Sequence, residues 1–252
     1  MRQYDLKRLR QGIRPFRLHW FPRLRSTNDH AISLRRQHRL FAPAIVLTGC
    51  QTAGRGRGAN RWWSAPGAIT VTFALPVEEH LASHQVALAA GLAARNALAQ
   101  VTGIQDIKLK WPNDLILNGL KIGGVLCERV AGLDLIGIGI NLNNEINRAP
   151  PSLRGNIFSL AMAAGRQIDA TEALIALARS IRAVAARRRN APFPAVVREY
   201  EQHHLLTGRS VTCLSNGVTI TGLCRGIDHA GRLIIQTTRD KQAIVSGTVT
   251  WP

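Results

Sequence analysis

Between Pro43 and Leu142 the chain alternates short β-branched runs with a single stretch long enough for a core helix, a pattern that points to an α+β fold. Residues 44–48 (AIVLT) read as a buried strand and residues 68–75 (AITVTFAL) as another. Residues 107–111 return to strand, and residues 133–142 add one more. Asn118-Gly119 is a hairpin signal joining 115–117 to 121–130. The helical stretch, 80–101, is rich in Ala and Leu. Upstream, residues 18–24 are expected as a short strand, and Ser26-Thr27-Asn28 offers N-cap chemistry for a helix running to about residue 39. Downstream, residues 170–189 form a helix ending in an arginine cluster.

The tail reads differently. From Gly208 onward come short runs at 210–214, 218–223, 233–237 and 244–249, with turns at Asn216-Gly217 and at 228–231. Short strands this closely spaced read as a small β-barrel, too small to be robust alone and so packed on the main domain. The expected organisation is a basic arm over residues 1–18, loosely ordered, a catalytic-sized domain over 19–206, and a small domain over 207–252.

Hydrophobic residues make up 46% of the 252-residue chain, enough to exclude a disordered tail. No uncharged apolar run approaches the ~18 residues that a membrane span needs. The basic N-terminus lacks the apolar core of a secretory signal, an Arg-rich transit peptide being the alternative that Asp5 counts against, and the four cysteines show neither a CxxC pair nor zinc spacing. A cytoplasmic protein with reduced thiols is expected.

Charge is the compositional anomaly: 33 Lys+Arg against 15 Asp+Glu gives +18. Residues 1–40 hold 11 cations and 2 anions, so this stretch carries +9, half the total. Three readings compete: a phosphate-facing patch, steering of an acidic partner or anionic substrate, and an arginine-rich solvated surface.

Three segments carry chemistry. In Gln51-Thr52-Ala53-Gly54-Arg55-Gly56-Arg57-Gly58 the glycines allow close backbone approach, and two guanidiniums on one loop can fork onto phosphate or carboxylate oxygens. It is neither a Walker A loop nor GxGxxG, since Ala59 stands at the third Gly. The second segment is Lys108-Leu109-Lys110-Trp111-Pro112-Asn113-Asp114, followed by Lys121 and Gly123-Gly124. Of the cations 28 are Arg and only 5 Lys, yet three of the lysines fall between 108 and 121. Retained lysines in such a chain point to a need for a compact ammonium, which beside a reacting carboxylate and phosphate stabilises the charge of the transition state. Asn113 and Asp114 suit a nucleotide or a phosphate-bound Mg²⁺, while a strand-end turn around a buried Trp111 explains the same letters. The third segment, Gly137-Ile138-Gly139-Ile140-Asn141, puts glycines in a β-branched strand, where either a ligand or a helix approaches the backbone.

Taken in this order, the segments resemble the biotin protein ligases (biotin–[acetyl-CoA-carboxylase] ligases) over roughly residues 19–252. The resemblance rests on Ser26-Thr27-Asn28, on QTxGRGR from Gln51 to Arg57 with Trp62 and Ser64 behind it, and on KWPND at Lys110 to Asp114. Lys121, Gly123-Gly124, Glu128 and Gly137–Asn141 complete it, with Arg225-Gly226-Ile227-Asp228 and Gly231-Arg232-Leu233 matching in the tail. The chain departs from the family where Asn60 and Arg61 precede Trp62, where the proline of the following SPxG is shifted to Pro66, and where Thr248 replaces an acidic residue after Gly247.

The resemblance implies a mixed-sheet catalytic domain with an SH3-like C-terminal barrel, and two half-reactions. Biotin and ATP, with Mg²⁺, give biotinyl-5′-AMP and pyrophosphate; a lysine of an acidic biotin carboxyl carrier domain then takes the biotin and releases AMP. On this reading Ser26, Thr27, Asn28, Gln51 and Gly124 hold biotin. Arg55, Gly56 and Arg57 order over biotin and the adenylate, excluding water. Lys121 sits between carboxylate and phosphate, and Lys121, Arg57 and Lys110 are the catalytic set. Arg55, Trp62, Lys110, Asn113, Asp114, Lys121 and Asn141 serve the nucleotide, with Mg²⁺ held mainly by phosphates and Asp114 its candidate ligand. Too few residues precede the match for a winged DNA-binding module, so no operator-specific DNA binding is expected; without a long apolar run, no membrane partner is expected either. The expected assembly is a monomer or weak homodimer.

The nearest rival, a lipoate ligase or octanoyltransferase, resembles an RRxxGGGxVxHD loop that is absent here. Thiol acyl transfer through Cys50 or Cys127 has no His placed by sequence to activate it. A nucleic-acid-binding protein explains the charge but leaves the lysine cluster idle, and the tail lacks aromatic platforms.

Overall fold

The structure is a computed structural model that describes residues 3–190 and 193–252, including all of their side chains except those of 187–190; the arginine cluster expected at the end of the long helix lies outside the described side chains. In chain order the elements are α1 (Leu6–Gly12), β1 (Arg17–Phe21), α2 (Thr27–Arg36), β2 (Ala44–Thr48), β3 (Gly54–Arg55), β4 (Arg61–Trp62), β5 (Ile69–Pro76) and α3 (Ser83–Thr102). There follow β6 (Lys108–Lys110), β7 (Asp114–Leu117), β8 (Leu120–Val130), β9 (Leu133–Ile140), α4 (Pro151–Arg154), α5 (Leu160–Ala164), α6 (Ala170–Asn190) and α7 (Pro194–Glu201). The tail holds β10 (Ser210–Ser215), β11 (Val218–Ile227), β12 (Leu233–Gln236), β13 (Lys241–Ile244) and β14 (Thr248–Thr250).

Seven strands make one sheet in the order β1-β2-β5-β9-β8-β7-β6. Only β1 and β2 pair in parallel, so the sheet is mixed, as expected. Strand periodicity sorts its residues. Ile45, Leu47, Val71, Phe73, Ile136 and Ile138 join α3 and α6 in the main core. Ala44, Val46, Ala74, Leu133 and Leu135 point the other way, against Ala31 and Leu34 of α2. On that second face the same alternation sets Thr70, Thr72, Gly137 and Gly139, small or polar residues where a core would need bulk.

From residue 3 on, the basic arm is not loosely ordered. Asp5 caps α1, its Oδ1 accepting from Lys7 N and Arg8 N at 3.0 Å each. Tyr4, Leu9, Ile13 and Phe16 are buried in the main core, and Phe16 meets Phe73 edge-on at 5.6 Å between centroids. Leu9 lies within α1 and Tyr4, Ile13 and Phe16 flank it, so apolar residues set among the arginines enter the core from the helix and from both of its ends. Two other boundaries shift: α2 ends at Arg36 because His38 adopts φ 53°, and β1 stops before Pro22.

The tail forms a five-stranded antiparallel sheet in the order β13-β12-β11-β10-β14. The single strand expected over 244–249 is two, because the chain bends at Val245-Ser246, and just after it a Cβ on Gly247 would lie 2.5 Å from Cys213 Sγ. This sheet is bound to the main domain. Trp111 Nε1 donates to Gly231 O at 3.1 Å, and Ile227 N donates to Glu201 Oε1 at 2.6 Å. No described helix is long and apolar enough to cross a membrane.

The β7–β8 hairpin turns at Asn118-Gly119 with φ 52° and 76°, the positive pair its letters predict. The β8–β9 hairpin adopts the same conformation at Ala131-Gly132, with φ 47° and 78°, held by Arg35 Nη2 donating to Ala131 O at 2.8 Å. Alanine in a left-handed conformation costs about 1 kcal/mol. Ala131→Asn, which tolerates that conformation and keeps the carbonyl, is expected to raise Tm by about 2–4 °C in a calorimetric scan.

Candidate active site

The second sheet face carries a cavity of about 650 Å³ between the α2 N-terminus, the β3–β4 hairpin, the β7–β9 strands and the C-terminal sheet. Its floor is β9. Asn28 lies over Gly137, and the Trp62 indole lies directly on Gly139; a Cβ at either position would collide with its neighbour. Both glycines are therefore required by close approach.

At one end, buried polar groups form an alcove. Ser26 caps α2, its Oγ accepting from Asp29 N at 3.3 Å. Gln51 Oε1 accepts from Thr27 N at 2.7 Å and Thr27 Oγ1 at 3.1 Å, and Gln51 N donates to Ser64 Oγ at 3.0 Å. Asn28 is committed within the protein: its Oδ1 accepts from Thr72 Oγ1 at 2.6 Å and its Nδ2 donates to Glu128 Oε2 at 2.7 Å. The same Glu128 oxygen takes Arg55 Nη2 at 2.6 Å, and Arg55 also reaches Asp29 at 2.8 Å. One carboxylate thus joins α2, β8 and the β3–β4 hairpin. Glu128 sits on the β8 face of Gly124 and Leu126, both of which line the cavity, and period-2 counting from Gly124 leads to it.

The Gly/Arg segment is a tight hairpin, with Gly56 N donating to Asn60 O at 2.8 Å. Arg57 leaves it toward the C-terminal sheet, donating to Ser246 Oγ at 2.8 Å and Gly247 O at 3.2 Å. Burial pushes its guanidinium below the usual arginine range, against the pull of Asp114.

At the other end, Lys110 on β6 pairs in register with Asp114 on β7, and Asp114 Oδ1 receives Lys121 Nζ at 2.5 Å. Burial lowers the Lys110 pKa; Asp114 opposes that shift and Lys121 adds to it. Asn113 Nδ2 donates to Val125 O at 2.7 Å, fixing the KWPND turn to β8. Asn141 is buried, its Oδ1 accepting from Asn144 Nδ2 at 3.1 Å. Gly124 pairs opposite Asp114, where a Cβ would lie 3.3 Å from Lys121 Cε.

Every residue singled out from the sequence for biotin or nucleotide lines this one cavity. Sequence reasoning missed Thr70 on β5 and the wall built by the C-terminal sheet, Leu214, Asn216 and Ser246–Val249; Thr248 is part of that wall. Among the lining residues five are cations (Arg55, Arg57, Arg61, Lys110 and Lys121) and one, Asp114, is an anion. Such a site favours an anionic ligand. The Trp62 indole N–H is buried without a protein acceptor, leaving it for a ligand. Among the described residues no three His, Cys, Asp or Glu side chains come together as a metal site. A lone carboxylate fits Mg²⁺ carried in on phosphates rather than a protein cage.

A family model described as the biotin/lipoate A/B protein ligase family matches residues 20–144, and one described as the biotin protein ligase C terminal domain matches residues 206–250. The biotin–[acetyl-CoA-carboxylase] ligase of Paracoccus denitrificans is 29% identical over 239 residues, covering 89% of this chain and 96% of its own. The bifunctional ligase/repressor BirA of Bacillus subtilis is 29% identical over 215 residues, 81% of this chain; the chain spans 65% of that relative's length. The structure of biotin protein ligase from Aquifex aeolicus in complex with biotin and ATP aligns with a TM-score of 0.86 at 27% identity, over 94% of this chain and 99% of that one. With both the catalytic sheet and the C-terminal sheet matched, the chain belongs to the biotin/lipoate A/B protein ligase family and carries the C-terminal domain of its biotin protein ligases.

Proposed function

We propose that this chain is a biotin protein ligase that activates biotin with ATP and transfers it to a lysine of a carrier protein. The observation that carries the reading is the cavity itself: a buried polar alcove at Thr27 and Gln51 lies in one continuous space with Arg57, Lys110, Lys121 and Asp114. The alcove offers hydroxyl and amide groups to the ureido ring of biotin, while the cations receive its carboxylate and the triphosphate. Relatives named as biotin–[acetyl-CoA-carboxylase] ligases, and a solved relative holding biotin and ATP, support both substrates.

In the first step a biotin carboxylate oxygen bonds to the α-phosphorus of ATP, and the bond to pyrophosphate breaks. Lys121 neutralises charge gathering on the phosphoryl oxygens, held in place by Asp114. Arg57 and Lys110 bind the departing charge. Mg²⁺ screens the phosphates when bound, with Asp114 its candidate ligand. In the second step an uncharged lysine amine attacks the acyl carbon of the mixed anhydride, AMP leaves with the bonding pair, and the amine sheds a proton. Between the steps the β3–β4 hairpin, tied by Arg55 to Glu128 and by Arg57 to the C-terminal sheet, keeps water from the anhydride.

The deciding assay is ATP–pyrophosphate exchange with biotin, using lipoate and octanoate as controls. The wild-type protein is expected to exchange with biotin alone, and Lys121→Ala to lose about 10²–10³-fold in rate, the usual effect of removing one charge-stabilising group. Exchange with lipoate but not biotin would overturn the assignment of the acid.

The partner is an acidic carrier domain, and the +18 net charge draws it in. Raising salt from 50 to 300 mM, a rough working range across which screening strengthens, is expected to cut kcat/KM for the carrier steeply in a biotin-transfer assay while leaving exchange nearly unchanged. Equal salt sensitivity in both assays would rule steering out. The proposed setting is the cytoplasm, as a monomer or weak homodimer.

A further inference from the structure

The C-terminal segment holds two of the cavity's cations. Arg57 donates to Ser246 and Gly247, and the Lys110 ammonium stands over the face of Trp251, 4.5 Å from its centroid. Trp251 lies outside the cavity lining, yet it touches a cation that lines it. Trp251 directly follows β14, whose pairing with β10 (Leu214 to Thr248, Cys213 to Val249, Thr212 to Thr250) fixes where the indole emerges. Strand alternation puts it on the side of buried Val249, and it packs against the main core. Its position is therefore set by two elements, while the Lys110 side chain carries four flexible bonds and sits between attraction to Asp114 and repulsion from Lys121.

A flexible ammonium in that situation has an obvious alternative: it collapses onto Asp114, the carboxylate that already holds Lys121. Lys110 and Asp114 are cross-strand partners, close enough for such a pairing. A collapsed Lys110 would be lost to the triphosphate and would loosen Lys121. The aromatic face offers the ammonium a different resting place, attractive without neutralising its charge and without supplying an acceptor that competes with phosphate.

We propose that Trp251 is a positioning residue for the nucleotide half of the reaction, its indole face holding the Lys110 ammonium away from Asp114 and ready for the phosphates of ATP. The proposal rests on the assignment of the cavity to ATP and biotin. Trp251 touches neither substrate; it acts through Lys110. The C-terminal sheet thereby contributes to nucleotide affinity although Thr248 leaves it without an acidic residue after Gly247.

The test compares Trp251→Phe and Trp251→Leu in the full-length protein, both large apolar replacements that preserve packing, with Tm as the control for folding. Binding of the α,β-methylene analogue of ATP is titrated calorimetrically, and KM for ATP and for biotin are read from pyrophosphate exchange. Trp251→Leu is expected to weaken nucleotide binding about tenfold, within the range of a desolvated cation–π contact. KM for biotin should stay within about twofold, and Trp251→Phe should recover part of the loss because its ring keeps a weaker face. In a Lys110→Met background the same Leu substitution should change nucleotide binding by less than about twofold. A Leu variant with wild-type nucleotide affinity, a loss shared equally by biotin, or a loss that persists without Lys110 would each overturn the proposal. Because the calorimetric arm needs only the nucleotide, a protein that binds ATP normally but fails to exchange with biotin would instead refute the assigned acid.

Discussion

β9 runs through the middle of the seven-stranded sheet, and at two alternate positions on one face it has no side chain. Most of the site follows from that. The bare backbone at Gly139 lets the Trp62 indole lie flat on the sheet, and the bare backbone at Gly137 lets Asn28 reach Thr72 and Glu128 beneath the α2 N-terminus. With side chains there, α2 and the β3–β4 hairpin would be held off the sheet and the Asn28–Glu128–Arg55 chain of hydrogen bonds would open. The opposite face of the same strand, Ile136, Ile138 and Ile140, is ordinary core, so one strand supplies both the stability of the domain and the room for its chemistry.

The second organising element is how charge is distributed. Five cations around one carboxylate are an unfavourable arrangement unless something anionic joins them or something neutral holds them apart. The structure does both: Arg55 is joined by the carboxylates of Glu128 and Asp29, while Arg57 is handed to the backbone and a hydroxyl of the C-terminal sheet and Lys110 rests on an aromatic face. Only Lys121 is paired directly with the cavity carboxylate. The C-terminal sheet thus belongs to the site as much as to the fold.

Local sequence signals located the main elements well where side-chain period and turn chemistry agree, as in the β5 and β9 runs and at Asn118-Gly119. They failed where tertiary packing overrides them. In residues 4–16 the arginines suggested a loosely ordered arm, yet Tyr4, Leu9, Ile13 and Phe16 among them are what the core uses. The Ala131-Gly132 turn carries no strong turn letter at its first position; the strands on either side impose it. Motif residues such as Gln51, Lys110 and Lys121 were legible because loop and strand-end positions carry chemistry. Ser246, Gly247 and Trp251 were not, since their part in the site exists only once two sheets from distant segments meet.

The crowding of like charge in the cavity also bears on how long the protein survives. A protein whose cations repel one another when the cavity holds no anion gives up stability in that state, and an anionic ligand that binds only the folded form restores it. At a hundred times its dissociation constant such a ligand adds about 2.7 kcal/mol. On the proposed reading, nucleotide and acid would act as ligands of this kind, and the folded fraction would rise with their concentration.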